Sequence, residues 1–417
     1  MSSFDFVAVL LLLVAILGLL NHRYLHLPRT IALMAGSLVL SVIIILVDRS
    51  VTSVELREWW EDLVVRTGLP HVFLDGLLAF MLFAGSLHVD MDSLRAQKWT
   101  VLSLATLGVL MATALYGSGM WLIFDGTVPL PWCLALGALL APTDPIAVGG
   151  LLKDAGLPPG LLAVVNGESL FNDGVAVVVF AAALEWANGH AATPAAICLD
   201  LLIEGGGGVA LGLATGYIAY RAIRLADEPS LELTITLALV TVTYSLASLV
   251  HVSGPLAVVV AGLLTGHRAT RFAMTDVSRE QVVLFWDLMD ELLNAVLFLL
   301  MGFALLSVEL NRVLLTAAAA GIGLALLTRL ISVAVPTTLV HLRSLPKLRG
   351  IAVLTWGGLR GGISVALALT LETSPYRGGL LAVTYAVVVF TILVQGLSMP
   401  LLVRWLYRPT AVLPRSP

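Results

Sequence analysis

Long apolar runs, separated by short polar segments, recur from one end of the chain to the other. Most are long enough for an α-helix to cross the hydrocarbon core of a bilayer, which takes ~20 residues. We predict thirteen transmembrane helices, at residues 4–20, 30–47, 71–88, 100–124, 131–152, 161–187, 195–224, 231–250, 254–266, 282–308, 313–340, 350–371 and 378–407. The ninth run is short and begins with Ser253-Gly254-Pro255, and its loss would invert the topology of every later helix.

The composition excludes a soluble globular protein. Hydrophobic residues make up 59% of the chain and charged residues 12%, with a mean hydropathy of +0.98. The first run has neither a preceding basic segment nor a following cleavage site, so we interpret it as a permanent helix. Cys133 and Cys198 both lie in apolar runs, which predicts buried thiols and no disulfide. We expect an all-α polytopic membrane protein with one transmembrane domain over residues 1–417.

The basic residues predict the orientation in the membrane. With thirteen helices and an N-terminus outside the cell, 16 of the 23 Lys and Arg residues fall in cytoplasmic segments or at the cytoplasmic ends of helices. Five fall in outer segments, namely Arg49, Arg57, Arg66, Arg312 and Arg377. This asymmetry favours a cytoplasmic C-terminus and location in the cell (inner) membrane. The remaining two, Arg329 and Arg360, lie inside predicted helices, where charge costs about 2.5–3.5 kcal/mol.

The fifth predicted helix contains an interruption. Ala141-Pro142-Thr143-Asp144-Pro145 places two prolines around an aspartate in the middle of an apolar run. A helix broken there exposes backbone carbonyls and half-helix ends, which can bind an ion at the membrane midplane. Thr143 and Asp144 would then offer a carbonyl or hydroxyl and a carboxylate to a hard cation.

The sixth predicted helix contains the polar run Asn166-Gly167-Glu168-Ser169-Leu170-Phe171-Asn172-Asp173-Gly174. Ser169 and Asp173 are four residues apart, so on a helix they can face one ligand together. Glu168 and Asn172 would turn slightly away from it. The alternative is a polar loop in which Asp173 caps the following helix.

Two intramembrane arginines need partners. Arg329 lies near the middle of the eleventh predicted helix, and it must either find a carboxylate or extend to the membrane interface. Arg360 lies within Gly357-Gly358-Leu359-Arg360-Gly361-Gly362 in the twelfth. There it could face unwound carbonyls at a second helix break, or it could be an interfacial arginine beside a helix-packing glycine motif.

Three motifs in this order resemble the cation:proton antiporter superfamily: the Thr143-Asp144 pair, the run from Glu168 to Asp173, and the glycine-rich run around Arg360. The Asn172-Asp173 pair resembles the electroneutral branch of NhaP-type sodium/proton exchangers, because the electrogenic branch typically carries two adjacent aspartates there. The resemblance extends over nearly the whole chain.

The resemblance implies a fold of two inverted six-helix repeats, residues 4–187 and 231–407, around a linking helix at 195–224. The fifth and twelfth helices would be broken and cross each other. It also implies a homodimer in the lipid bilayer, without cofactor, enzymatic activity or nucleic-acid binding.

The resemblance implies, further, that Asp173 and Asp144 bind sodium or protons alternately, assisted by Ser169 and the Thr143 carbonyl. Glu168 would pair with Arg329. Electroneutral exchange of one sodium (or lithium) for one proton by alternating access is the expected activity. A potassium/proton antiporter with the same site remains an alternative, and a passive cation channel or an intramembrane hydrolase fits less well.

Several other acids have no firm role in this scheme. Asp287, Asp290 and Glu291 open the tenth predicted helix on its cytoplasmic side, where they could attract cations or sense pH, or simply form a solvated helix start. Asp75 and Glu204 fit no role that the sequence suggests.

Overall fold

The structure is a computed structural model, and it describes residues 3–50, 76–144, 152, 156–189, 194–226, 228–269, 273–307, 312–339, 347–371 and 374–407. Within these ranges the regular elements are helices: α1 Ser3–Leu20, α2 Arg29–Ser50, α3 Leu78–Leu87, α4 Met91–Ala96, α5 Lys98–Ser103, α6 Val109–Ile123, α7 Leu130–Leu139, α8 Pro159–Ala187, α9 Pro194–Ala226, α10 Pro229–Leu249, α11 Gly254–Leu264, α12 Asp276–Phe303, α13 Arg312–Leu339, α14 Lys347–Trp356, α15 Gly362–Leu369, α16 Arg377–Phe390 and α17 Leu397–Leu406.

Short irregular turns extend or join several of these helices. Four are π-helical and one is a 3₁₀ turn: Asn21–Leu25, Leu104–Gly108, Thr265–Ala269, Thr391–Gly396 and Ala304–Ser307. One π-helical turn joins α5 to α6, and another joins α16 to α17, so that each pair runs as one long helix.

Each of the thirteen predicted spans contains a helix in the described part of the chain. By length and apolar composition, nine helices among the described residues could cross a membrane. The all-α polytopic class is therefore confirmed, whereas the count of thirteen crossings and the division into two inverted repeats remain predictions. The short ninth run forms α11, whose first turn Ser253 caps by accepting the backbone N–H of Leu256.

The helices pack around a large apolar core and a second, smaller apolar cluster. α12 lies against α2 and α3, while α7 lies against α6 and α8. α6 and α7 approach closely because a Cβ atom at Gly137 would press on the backbone of Thr113 and Gly117. Cys133 is buried in this core, as expected of a small apolar side chain, and the side chain of Cys198 lies outside the described residues.

The tenth predicted helix begins earlier than expected. α12 starts at Asp276, where Thr275 caps it by accepting the backbone N–H of Ser278. Asp287 therefore lies about three turns inside the helix. The interpretation of Asp287, Asp290 and Glu291 as a solvated helix start is wrong, because the helix already begins at Asp276 and includes the polar residues before Asp287.

Candidate functional site

Two interrupted helices meet at the centre of the site. α7 ends at Leu139, and α14 and α15 are separated by residues 357–361. The two unwound segments run side by side, and the backbone N–H of Asp144 donates a hydrogen bond of 2.8 Å to the carbonyl of Leu359. α7 thus ends just before the predicted prolines, and the gap between α14 and α15 falls at the predicted glycines; Pro145 and residues 146–151 lie outside the described residues.

Arg360 fixes this crossing. Its Nη1 donates to the carbonyls of Ala141 at 2.5 Å and Pro142 at 3.0 Å, and its backbone N–H donates to Thr391 Oγ1 at 3.1 Å. The side chain is buried, so the interfacial alternative for this arginine does not hold. A positive charge at carbonyls beyond the C-terminal end of α7 is favourable for the helix dipole.

The polar run of the sixth predicted helix lies within the continuous helix α8, which excludes the loop alternative. Two of its side chains bind the broken segment next to it. The Ser169 hydroxyl donates to the Thr143 carbonyl, and Asn172 Nδ2 donates to Thr143 Oγ1 at 2.9 Å. Thr143 is thereby held by two residues of α8, which positions the adjacent Asp144.

Asp173 and Asp144 line one cavity of about 310 Å³ at this crossing, together with Ser169 and Asn166. Asp173 is only 8% exposed, and its Oδ1 has no hydrogen-bond partner. A buried carboxylate oxygen without a partner is costly, so this atom favours either a proton or a bound cation. Carboxylate, hydroxyl and carbonyl oxygens are ligands that suit hard cations.

Glu168 faces away from the cavity and forms a buried salt bridge with Arg329. The pair is bidentate, with Nη1 to Oε1 at 2.6 Å and Nη2 to Oε2 at 3.0 Å. Arg329 also donates to the carbonyl of Leu354 in α14. The arginine therefore joins α13, α8 and the first half of the broken helix, and it does not extend to the interface.

Gly361 permits the close approach of the two unwound segments. A Cβ atom at this position would collide with the side chain of Asp144, and one at Gly358 would lie 2.5 Å from Arg329 Nε. Gly358 and Gly361 therefore meet a steric requirement at the crossing.

Two further residues line the cavity that the sequence did not place there. His88, which follows α3, and Asp290 of α12 both line the cavity. The one signal for Asp290 is the helical repeat: Leu297, seven residues later and therefore on the same face of the helix, lines the cavity too. Its neighbour Asp287 binds His88 Nε2 at 2.9 Å, and Glu291 pairs with Arg29 of α2. Asp75 lies outside the described residues, and the structure suggests no role for Glu204.

Comparison with known proteins places this architecture in a family. The model of the family described as "Sodium/hydrogen exchanger, transmembrane" matches residues 9–405. The chain is 42% identical to the Na(+)/H(+) antiporter NhaP of Pseudomonas aeruginosa, with 97% of each chain covered. It is 32% identical to the Na(+)/H(+) antiporter NhaH of Halobacillus dabanensis over 96% of this chain and 97% of that one.

A solved structure shares the fold. The sodium proton antiporter MjNhaP1 from Methanocaldococcus jannaschii superposes with a TM-score of 0.76, covering 97% of this chain and 98% of that chain at 18% sequence identity. At this identity the likeness establishes the fold alone. Together with the family match and the relative at 42% identity, it leads to one conclusion: the chain belongs to the transmembrane sodium/hydrogen exchanger family.

Proposed function

We propose that this protein exchanges sodium, or lithium, for protons across the cell membrane as an electroneutral antiporter. The relatives described above are named as sodium/proton antiporters, and nothing in their names supports the potassium alternative. The observation that carries the proposal is the shared cavity of Asp144 and Asp173 beside the crossed helix breaks.

The binding site we propose consists of oxygen atoms from two chain segments. Asp173 and Ser169 come from α8, and Asp144 and the Thr143 carbonyl come from the unwound segment after α7. The Ser169 hydroxyl now donates to the Thr143 carbonyl. On cation binding this hydroxyl would rotate, so that its oxygen and the carbonyl oxygen both face the ion.

Exchange follows from competition for the carboxylates. Two carboxylates beside one poorly hydrated cavity repel each other when both are ionised, so the site is stabilised by either a proton or a cation. Binding of sodium displaces the proton, and protonation displaces sodium. Asp173 is the proposed carrier because its Oδ1 is buried without a partner.

Several parts of the scheme rest on the resemblance to the family. These are the one-to-one stoichiometry, the homodimer, the two inverted repeats and the movement of the helix-break region relative to the remaining helices. The basic residues of the loops support a cytoplasmic C-terminus. Glu168, Asn172, Arg329 and Arg360 support the site without binding the ion.

Transport by proteoliposomes tests the proposal. Purified protein is reconstituted with an internal pH dye, and sodium, lithium or potassium is added outside, with and without a potassium/valinomycin voltage clamp. We expect sodium and lithium to drive proton movement at a rate that the clamp leaves unchanged, because no net charge moves. Asp173→Ala should abolish the exchange.

The exposed residue Glu280 of α12 provides a control, because Glu280→Gln also removes one negative charge but lies outside the cavity. This variant should exchange sodium at the wild-type rate. Proton movement without a counter-cation would indicate a channel, and a fully active Asp173→Ala variant would exclude the proposed site.

A further inference from the structure

Asp290 lines a part of the ion cavity that is formed by a different chain segment from those of Asp144 and Asp173. Asp144 and Asp173 belong to the broken segment after α7 and to α8, whereas Asp290 belongs to α12. α12 packs mainly on α2, α3 and α10. The cavity is thus lined by three carboxylates from three separate chain segments.

The three acids on this part of α12 differ in their partners. Asp287 binds His88 at 2.9 Å, and Glu291 binds Arg29. The Asp290 carboxyl accepts a side-chain hydrogen bond from Asn294, but its Oδ1 is buried and has no hydrogen-bond partner. The two neighbours are thus balanced by a histidine and an arginine, whereas one oxygen of Asp290 remains without a partner in the cavity wall.

Among the described residues, the arginines close to the site already have partners. Arg329 binds Glu168, and Arg360 binds the carbonyls of Ala141 and Pro142. Among the described residues that line the cavity, His88 is the basic one, and it is paired with Asp287. A mobile cation is therefore the natural partner of the Asp290 carboxylate.

We propose that Asp290 recruits the cation: it binds sodium transiently in the cavity and raises the local sodium concentration at Asp173. Asp290 is a positioning residue in this scheme and does not carry the exchanged proton. The inference rests on the proposed sodium/proton exchange. A carboxylate in a cavity with low-dielectric walls attracts cations more strongly than one in bulk water.

The test separates the KM for sodium from the maximal rate in the proteoliposome assay at low ionic strength. Asp290→Asn should raise the KM about tenfold, because one unit charge is removed a few ångströms from the ion path, and leave the maximal rate within about twofold. Asp290→Glu should restore a KM close to the wild-type value. Asp290→Ser provides a second variant without the carboxylate, in case the asparagine variant does not fold.

Glu280→Gln is again the matched control, and its KM should equal that of the wild type. A KM unchanged in folded Asp290→Asn or Asp290→Ser would overturn the inference, and so would a complete loss of transport, which would make Asp290 a carrier. Failure of the proposed function is a separate result: the wild type would then show no sodium-driven proton movement, or Asp173→Ala would retain it.

Discussion

At the scale of single residues, the buried salt bridge between Glu168 and Arg329 is the contact with the clearest expected effect on stability. Both residues are at least nine-tenths buried, and each Nη atom of the guanidinium binds one carboxylate oxygen. Breaking such a pair from one side leaves an uncompensated charge in a low-dielectric interior, which costs more than the intact pair contributes.

We therefore expect Arg329→Gln or Glu168→Gln alone to lower the free energy of unfolding by about 3–5 kcal/mol. The double variant should lose less than the sum of the two single variants, because it leaves no unpaired charge. Melting temperatures measured by thermal unfolding in detergent rank the variants by stability.

The exposed pair between Arg29 and Glu291 provides the comparison. Its side chains are 47% and 53% exposed, so Arg29→Gln should cost at most about 1 kcal/mol. Equal melting temperatures for Arg29→Gln and Arg329→Gln would contradict the structural role of the buried pair.

At the residue scale, the sequence singled out Asp144, Asp173 and Ser169, which line one cavity, but not all of their contacts. Asp173 and Ser169 could be predicted because polar groups are costly in an apolar helix and because the two residues are four positions apart. The contact between Asn172 and Thr143 depends on how α8 packs against the broken segment. Whether Asp290 faces the cavity depends on the rotation of α12 about its axis, which a short acidic run does not specify.

At the scale of helices, the crossing of the two breaks depends on a glycine. Gly361 touches the Asp144 side chain so closely that a methyl group must displace it. Because the backbone of Asp144 is also bound to Leu359, the displacement would fall on the carboxylate.

Gly361→Ala should reduce the rate of sodium-driven proton exchange at least about tenfold, since a misplacement of about 1 Å at a reacting group can cost more than that. The assay is the proteoliposome exchange rate, normalised to the amount of folded protein. Gly350→Ala in α14 is the control, because a Cβ atom there would meet nothing within 4 Å. Full activity of Gly361→Ala would show that Asp144 tolerates displacement.

The interruptions of the helices could be predicted, whereas their finer geometry could not. Pro142 and the glycines of 357–362 act locally on the backbone, so the sequence alone indicates where the breaks fall. The four π-helical turns leave no comparable signal in the sequence. The early start of α12 was missed because hydropathy ignores polar residues that are nevertheless good helix formers.

At the scale of the whole molecule, the fold class follows from composition, and the orientation follows from the basic loops. The prediction of a cytoplasmic C-terminus can be checked with single cysteines. Thr127, between α6 and α7, is expected outside the cell, and Ser230, at the start of α10, is expected in the cytoplasm.

In a variant without Cys133 and Cys198, a membrane-impermeant maleimide should label Thr127→Cys in intact cells. It should label Ser230→Cys only after the membrane is permeabilised. Both side chains are exposed, and replacing a hydroxyl by a thiol changes their size little. The opposite labelling pattern would show that the number of crossings or the side of the N-terminus is wrong.

The crossing also constrains how the protein is made. The carbonyl of Pro142 finds its partner in Arg360, which lies 218 residues later in the chain. While the ribosome synthesises the intervening helices, the carbonyls at the end of α7 lack Arg360 and need another partner, such as water, because an unsatisfied carbonyl is costly in lipid. The contacts that hold the C-terminal end of α7 are therefore completed only after the glycine-rich segment, residues 357–362, has been synthesised.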